Sequence, residues 1–119
     1  MGSSLPTDMR SVVVLPTYNE AENIALFLRA VRDAAPTTDV LVVDDNSPDG
    51  TGAIAESVAA EISGVTVLHR PGKAGLGSAY REGFAQVLDG RYDVVVSMDA
   101  DFSHDPDQIP EFIEAIVSG

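Results

Sequence analysis

The chain contains no cysteine, which excludes disulfides, thiolate nucleophiles and thiolate metal centres and suits a reducing compartment. Positive charge is scarce: 7 Lys plus Arg stand against 19 Asp plus Glu, a formal net charge of −12. The average field therefore repels nucleic acid and anionic membrane surfaces, and any anionic ligand needs a local cation. No apolar run approaches the ~18 residues expected of a membrane-spanning helix. Residues 1–10 lack the apolar core of a signal peptide and read as a loose polar leader. Internal repeats and low-complexity segments are absent as well. At 119 residues there is room for one domain with a sizeable core and none for a second. With 45% hydrophobic and 22% charged residues, the chain is too apolar for disorder and should fold.

What is present is a regular alternation. Ser11–Leu15, Val40–Val43, Val65–Leu68 and Asp93–Met98 are short runs rich in β-branched residues. Their apolar residues are continuous rather than alternating, so all four are expected to be buried strands. Between and after them apolar residues recur at helical spacing. Ile24, Phe27, Leu28 and Val31 follow an expected cap near Asn19, with Glu20 and Glu22 suited to a first turn. Ala53–Ile62 is a weaker helix, Leu76, Tyr80, Phe84, Val87 and Leu88 mark a third, and Ile109, Phe112, Ile113, Ile116 and Val117 a fourth. The predicted order βαβαβαβα belongs to an α/β domain, a parallel sheet covered on both faces by helices and wound by right-handed crossovers. A nucleotide-binding strand order of 3-2-1-4 is expected, with ligands beyond the carboxyl ends of the strands where that order reverses.

The loops at that edge carry the polar residues. Pro16-Thr17-Tyr18-Asn19-Glu20 follows the first strand, Asp44-Asp45-Asn46-Ser47-Pro48-Asp49-Gly50 the second, and Asp99-Ala100-Asp101-Phe102-Ser103-His104 the fourth. Asx residues, Pro and Gly make Asn46–Gly50 read as a capped turn, so Asp49→Ala is expected to leave ligand binding nearly intact. One of Asp44 and Asp45 must point back into the crevice, where a carboxylate accepts from a base or a ribose hydroxyl; Asp45 is the candidate. Asp99 and Asp101, two apart at a strand end, can converge on one point. Carboxylates held together repel unless protonated or neutralised, and a hard divalent ion that takes one or two carboxylates plus substrate phosphates is the simplest remedy. The plainer alternative is a helix cap beside a surface acid.

A metal would also let so acidic a chain hold a nucleoside diphosphate by bridging the two anions. Arg70, Lys73 and Arg81 supply the clustered positive charge. The stretch Arg70 to Gly77 resembles a glycine-rich phosphate loop, but its spacing fits no established phosphate-binding pattern. It reads equally as a flexible turn whose Gly77 lets the next helix pack closely. His69 and His104 lack ligand-spaced partners and are expected to be solvated or to brace loops.

Four motifs then occur in order: LPTYNEAENI at 15–24, VVDDNSPDGT at 42–51, GLGSAYREGF at 75–84 and MDADFSHDP at 98–106. Together they resemble the amino-terminal half of family 2 glycosyltransferases, the group with the GT-A nucleotide-sugar fold, and within it the dolichol-phosphate or polyprenol-phosphate mannose synthases. The resemblance implies transfer of mannose from GDP-mannose to a polyprenol (dolichol) phosphate, with inversion and with Mg2+ or Mn2+. It implies that Pro16, Tyr18 and Glu20 hold the base and ribose, Val43 and Asp45 the nucleoside, and Asp99, Ala100 and Asp101 the diphosphate and metal. Asp99 and Asp101 would be the catalytic pair and Asp101 the main metal ligand. Ser103 stands where some relatives have a glutamine ligand. Residues 11–119 would then be the nucleotide-sugar-binding half of a longer enzyme, cytoplasmic and peripheral at the membrane face. Three other readings are weighed: a family member with another donor such as UDP-glucose, a non-catalytic nucleotide-sugar-binding fragment, and a phosphorylatable receiver domain. The last is opposed by the position of the paired acids, which follow the second strand and not the first.

Overall fold

A computed structural model of the chain describes residues 10–71, 76–88, 92–98 and 108–111. In chain order the elements are β1 (Ser11–Thr17), α1 (Ile24–Ala34), β2 (Thr38–Asp44), α2 (Thr51–Glu61), β3 (Val65–His69), α3 (Leu76–Val87) and β4 (Val94–Ser97). The strands form one sheet in the order β3-β2-β1-β4, every neighbouring pair parallel. This is the order expected from the sequence.

Alternate residues of the two central strands feed two cores. Val13, Leu15, Val40 and Val42 face α1 and α2 through Ile24, Phe27, Leu28, Val31, Ala55 and Val58. Val12, Val14, Leu41 and Val43 face α3 through Phe84 and Val87. The crossover rule accounts for the division: β1, β2 and β3 step in one direction, so α1 and α2 share a face, and the return from β3 to β4 puts α3 on the other. Phe27 is fully buried at 0% exposure; burying such a side chain contributes about 1.5–3 kcal/mol. On the other face α3 comes close because residue 83 has no side chain. A Cβ there would lie 2.6 Å from Val14 Cγ1 and 3.0 Å from Val43 Cγ2.

Two expectations are corrected. All four strands were expected to be buried, yet only β1 and β2 are buried almost throughout. β3 and β4, the outer strands among the described residues, are exposed or half-buried over most of their length. Continuous apolar sequence marks a strand but does not report how many neighbours cover it. The first helix, expected to be capped near Asn19, starts at Ile24 with Asn23 at its N-cap position, makes no side-chain cap bond, and has no acid in its first turn. Asn19 instead takes a left-handed conformation, φ 58°, and the amides of Asn23 and Ile24 both donate to Glu20 O, at 3.0 and 2.8 Å. A loop thus occupies the stretch that Glu20 and Glu22 were expected to open as helix. Of the fourth helical pattern only Ile109 is described, and it is fully buried in the core with α1 and α2; Phe112, Ile113, Ile116 and Val117 lie outside the described residues.

Candidate functional site

Strand register aligns the carboxyl ends: Thr17 pairs with Asp44 and Asp44 with His69. Each pairing extends one residue further, Asp45 N donating to Thr17 O at 3.2 Å and Arg70 N to Asp44 O at 2.8 Å. The adjacent aspartates therefore leave the sheet at one edge, but into different surroundings.

Asp44 is 2% exposed, and its oxygens are taken up by neutral donors. Oδ1 accepts from Thr17 Oγ1 at 2.8 Å and Ser47 Oγ at 2.6 Å, and Oδ2 from Ser47 N at 3.0 Å. It closes the turn after β2 and ties that turn to β1. Asp45, equally buried, faces a cation: Arg70 Nε lies 3.1 Å from its Oδ1. The alignment falls short of a hydrogen bond, so Asp45 Oδ1 and Arg70 Nη1 are both buried without a hydrogen-bond partner. α3 holds the guanidinium from the other side, through Glu82 Oε1 at 3.2 Å from Nε and Ser78 Oγ at 2.7 Å from Nη2. Burial and three polar neighbours occupy Arg70, so its charge is not free to face a diphosphate, as the phosphate-loop reading of Arg70 to Gly77 would require. Lys73 lies outside the described residues.

The loops after β1 and β2 are joined by side chains of one to backbone of the other. Asn19 N donates to Ser47 Oγ at 3.0 Å, Glu20 N to Thr51 Oγ1 at 2.9 Å, and Ala21 N to Asp49 Oδ2 at 3.0 Å. Thr51 completes a relay, donating through both its hydroxyl (2.5 Å) and its amide (3.1 Å) to Asp49 Oδ1. The Thr51 hydroxyl, aided by the Ala21 and Thr51 amides, holds the Asp49 carboxyl below its usual pKa. Asn46 and Gly50 are left-handed, φ 54° and 89°. Residues 46–50 thus form the turn expected of them, and Asp49 has in addition a partner in the other loop that a turn alone does not need.

Of the residues named from sequence, Pro16 and Val43 are buried, the Val43 side chain in the core against α3. Tyr18, 37% exposed, and Glu20 belong to the loop just described, beside the turn that follows Asp45. Asp99, Ala100, Asp101, Ser103 and His104 lie outside the described residues; β4 brings the chain as far as Met98, whose amide donates to Val14 O at 3.2 Å. Among the described residues no group of three or more acids and histidines is placed to hold a metal ion. His69 is half-exposed and paired with Glu56 Oε2 at 2.7 Å, a bracing contact as expected. Sequence reasoning missed Thr17, Ser47, Thr51, Ser78 and Glu82, hydroxyls and an acid whose partners stand in other elements.

Comparison with known proteins places this geometry. Residues 12–119 match the family described as Glycosyl transferase family 2. An undecaprenyl-phosphate mannosyltransferase of Micrococcus luteus is 56% identical over 108 residues, covering 91% of this chain and 44% of that protein. A polyprenol monophosphomannose synthase of Mycolicibacterium smegmatis is 49% identical over 92% of this chain and 42% of its own length, and a dolichol-phosphate mannosyltransferase of Pyrococcus furiosus 39% identical over 93% and 31%. The chain thus spans less than half the length of these relatives. Among solved structures, a Pyrobaculum calidifontis mannosyltransferase in complex with GDP-Man and Mn2+ superposes with a TM-score of 0.69 at 26% identity, covering 82% of this chain and 31% of that one. A glucosyl-3-phosphoglycerate synthase of Mycobacterium tuberculosis superposes at 0.75 and 23% identity over 94% and 41%, a likeness of fold alone. The sheet order is the GT-A arrangement, and with residues 12–119 matching the family the chain belongs to glycosyl transferase family 2.

Proposed function

We propose that this chain is the donor-binding part of an enzyme that transfers mannose from GDP-mannose to a polyprenol phosphate with inversion at the anomeric carbon. Three relatives named as polyprenol-type mannosyltransferases, at 56, 49 and 39% identity, support the sugar and the acceptor class. The buried Asp45–Arg70 pair carries the nucleotide-binding reading. An acceptor and a donor, each with one atom lacking a hydrogen-bond partner, suit a base edge that offers an N–H next to a carbonyl, as guanine does with N1–H and O6 and uracil with N3–H and O4, and the GDP-Man complex of the similar mannosyltransferase favours guanine of the two. Leaving either group without a partner costs about 1–3 kcal/mol, so a base that satisfies them gains that much in selectivity.

Around that anchor, Tyr18 and Glu20 lie in the loop next to the base position and would hold base and ribose, with Pro16 and Val43 forming the floor. Asp99 and Asp101, with Ala100 between them and Ser103 beyond, would hold the diphosphate and an Mg2+ or Mn2+ ion. Such an ion supplies charge neutralisation to a departing diphosphate. An ionised acceptor phosphate is already a competent nucleophile, so no residue of this chain is assigned as general base. The chain's part is binding and alignment. The complete protein would work at the cytoplasmic face of a membrane, bound peripherally; among the described residues no helix is long and apolar enough to cross one.

Titration calorimetry with GDP-mannose, GDP and UDP-glucose, each with Mn2+, with Mg2+ and with chelator, tests the reading. GDP-mannose and GDP should bind with metal and at least tenfold more weakly without it, a loss of roughly 1.4 kcal/mol, and UDP-glucose should bind more weakly still. Preference for UDP-glucose reassigns the donor, and no binding of any nucleotide overturns the reading.

A further inference from the structure

We propose that Thr51 and Asp49 are positioning residues of the donor site: their side chains clamp the backbone of residues 19–21 and so preset the loop that carries Tyr18 and Glu20. The inference rests on the donor-binding reading above and deepens it.

The loop before α1 has a supply problem. Three successive amides, those of Asn19, Glu20 and Ala21, precede the helix that begins at Ile24 and receive no bond from it. Each finds an acceptor in the loop after β2: Ser47 Oγ, Thr51 Oγ1 and Asp49 Oδ2. Thr51 is fully buried at 0% exposure, and its hydroxyl is used in both directions, accepting from Glu20 N and donating to Asp49 Oδ1. Asp49 is the end of both chains of bonds, one through Thr51 and one direct from Ala21. A carboxylate acceptor strengthens such bonds, and the lowered pKa of Asp49 agrees with that use. Within the arrangement Asn19 stands at φ 58°, a left-handed conformation that asparagine tolerates.

Without the clamp, the loop samples conformations in which Tyr18 and Glu20 stand away from Asp45. Apparent affinity falls in proportion to the competent fraction, so the effect is on ligand binding and not only on stability. The contacts are specific enough for conservative tests. Thr51→Val keeps the shape and removes both hydroxyl bonds; Thr51→Ser keeps the hydroxyl. Asp49→Ala, at an exposed position, removes the other acceptor.

The test measures, for wild type and all three variants, amide hydrogen exchange at Glu20 and Ala21 and the Kd of GDP with Mn2+. Thr51→Val should speed exchange at Glu20 and raise Kd about tenfold, Thr51→Ser should restore both, and Asp49→Ala should speed exchange at Ala21 and raise Kd in the same direction. A folded Thr51→Val protein with wild-type Kd overturns the proposal, as does a serine variant no better than valine. Should Thr51→Val not fold, Asp49→Ala decides: unchanged Ala21 exchange or unchanged Kd overturns it. Should wild type bind no nucleotide, the donor reading fails on its own, and exchange still decides the clamp, faster exchange in the variants sustaining it and unchanged protection at both amides overturning it.

Discussion

The two faces of the sheet are built on different terms. Against the sheet's Val13, Leu15, Val40 and Val42, α1 packs large aliphatic and aromatic side chains, with Phe27, Leu28 and Ile24 fully buried. Against α3 the apolar core among the described residues is smaller, and the helix approaches through Gly83 while its Ser78 and Glu82 reach Arg70 at the carboxyl edge. One face holds mainly by apolar burial; the other couples a helix to the polar site through a guanidinium. Damage to the first should therefore show in stability, and damage to the second in binding.

The largest expected effect tests the first half of that contrast. Phe27→Ala should destabilise the fold by about 4 kcal/mol, since truncating a fully buried aromatic loses transfer energy and leaves a cavity. Urea unfolding measures it, and the fraction that remains folded should bind GDP with unchanged Kd. A shifted Kd would mean that the α1 and α2 face also shapes the site. Next, Arg70→Met should cost about 3 kcal/mol because it leaves Asp45 buried without its cation, and it should abolish GDP binding under conditions where the protein is still folded. Near-normal binding would remove Arg70 from the base site. The smallest effect is expected for Gly83→Ala, about 2 kcal/mol of overpacking against Val14 and Val43, accompanied by a rise in Kd as α3 shifts Ser78 and Glu82 relative to Arg70. A stability loss with no change in Kd would show that the helix and the site are uncoupled.

The sheet could be read in the sequence because β-branched runs and helical repeats alternate without interruption, and the right-handed crossover then leaves few strand orders. Burial of the edges was not readable: Val65–His69 is as apolar in sequence as the central strands, but among the described residues it has a strand neighbour on one side alone. The start of α1 was misjudged because Asn19 and Glu20 have the composition of a cap, whereas bonds to Ser47, Thr51 and Asp49, 28 to 31 residues away, draw them into a loop. The same distance problem hid the site's polar network. Asp45 stood out as one of two adjacent acids; that Arg70 would neutralise it, and that Ser78 and Glu82 would hold Arg70, depends on strand register and helix placement. Asp99 and Asp101, the pair from which a metal site was expected, lie outside the described residues.

The concealment of Arg70 has a kinetic corollary. A guanidinium with 6% of its surface exposed and carboxylates on either side projects almost no field into solvent, so the cation at this pocket cannot draw a phosphorylated molecule from a distance. With a formal charge of −12, this stretch of chain instead repels such molecules once they come within a Debye length, about 10 Å at 0.1 M salt. Capture should thus grow faster as ionic strength rises, the reverse of the behaviour of proteins that steer their ligands electrostatically.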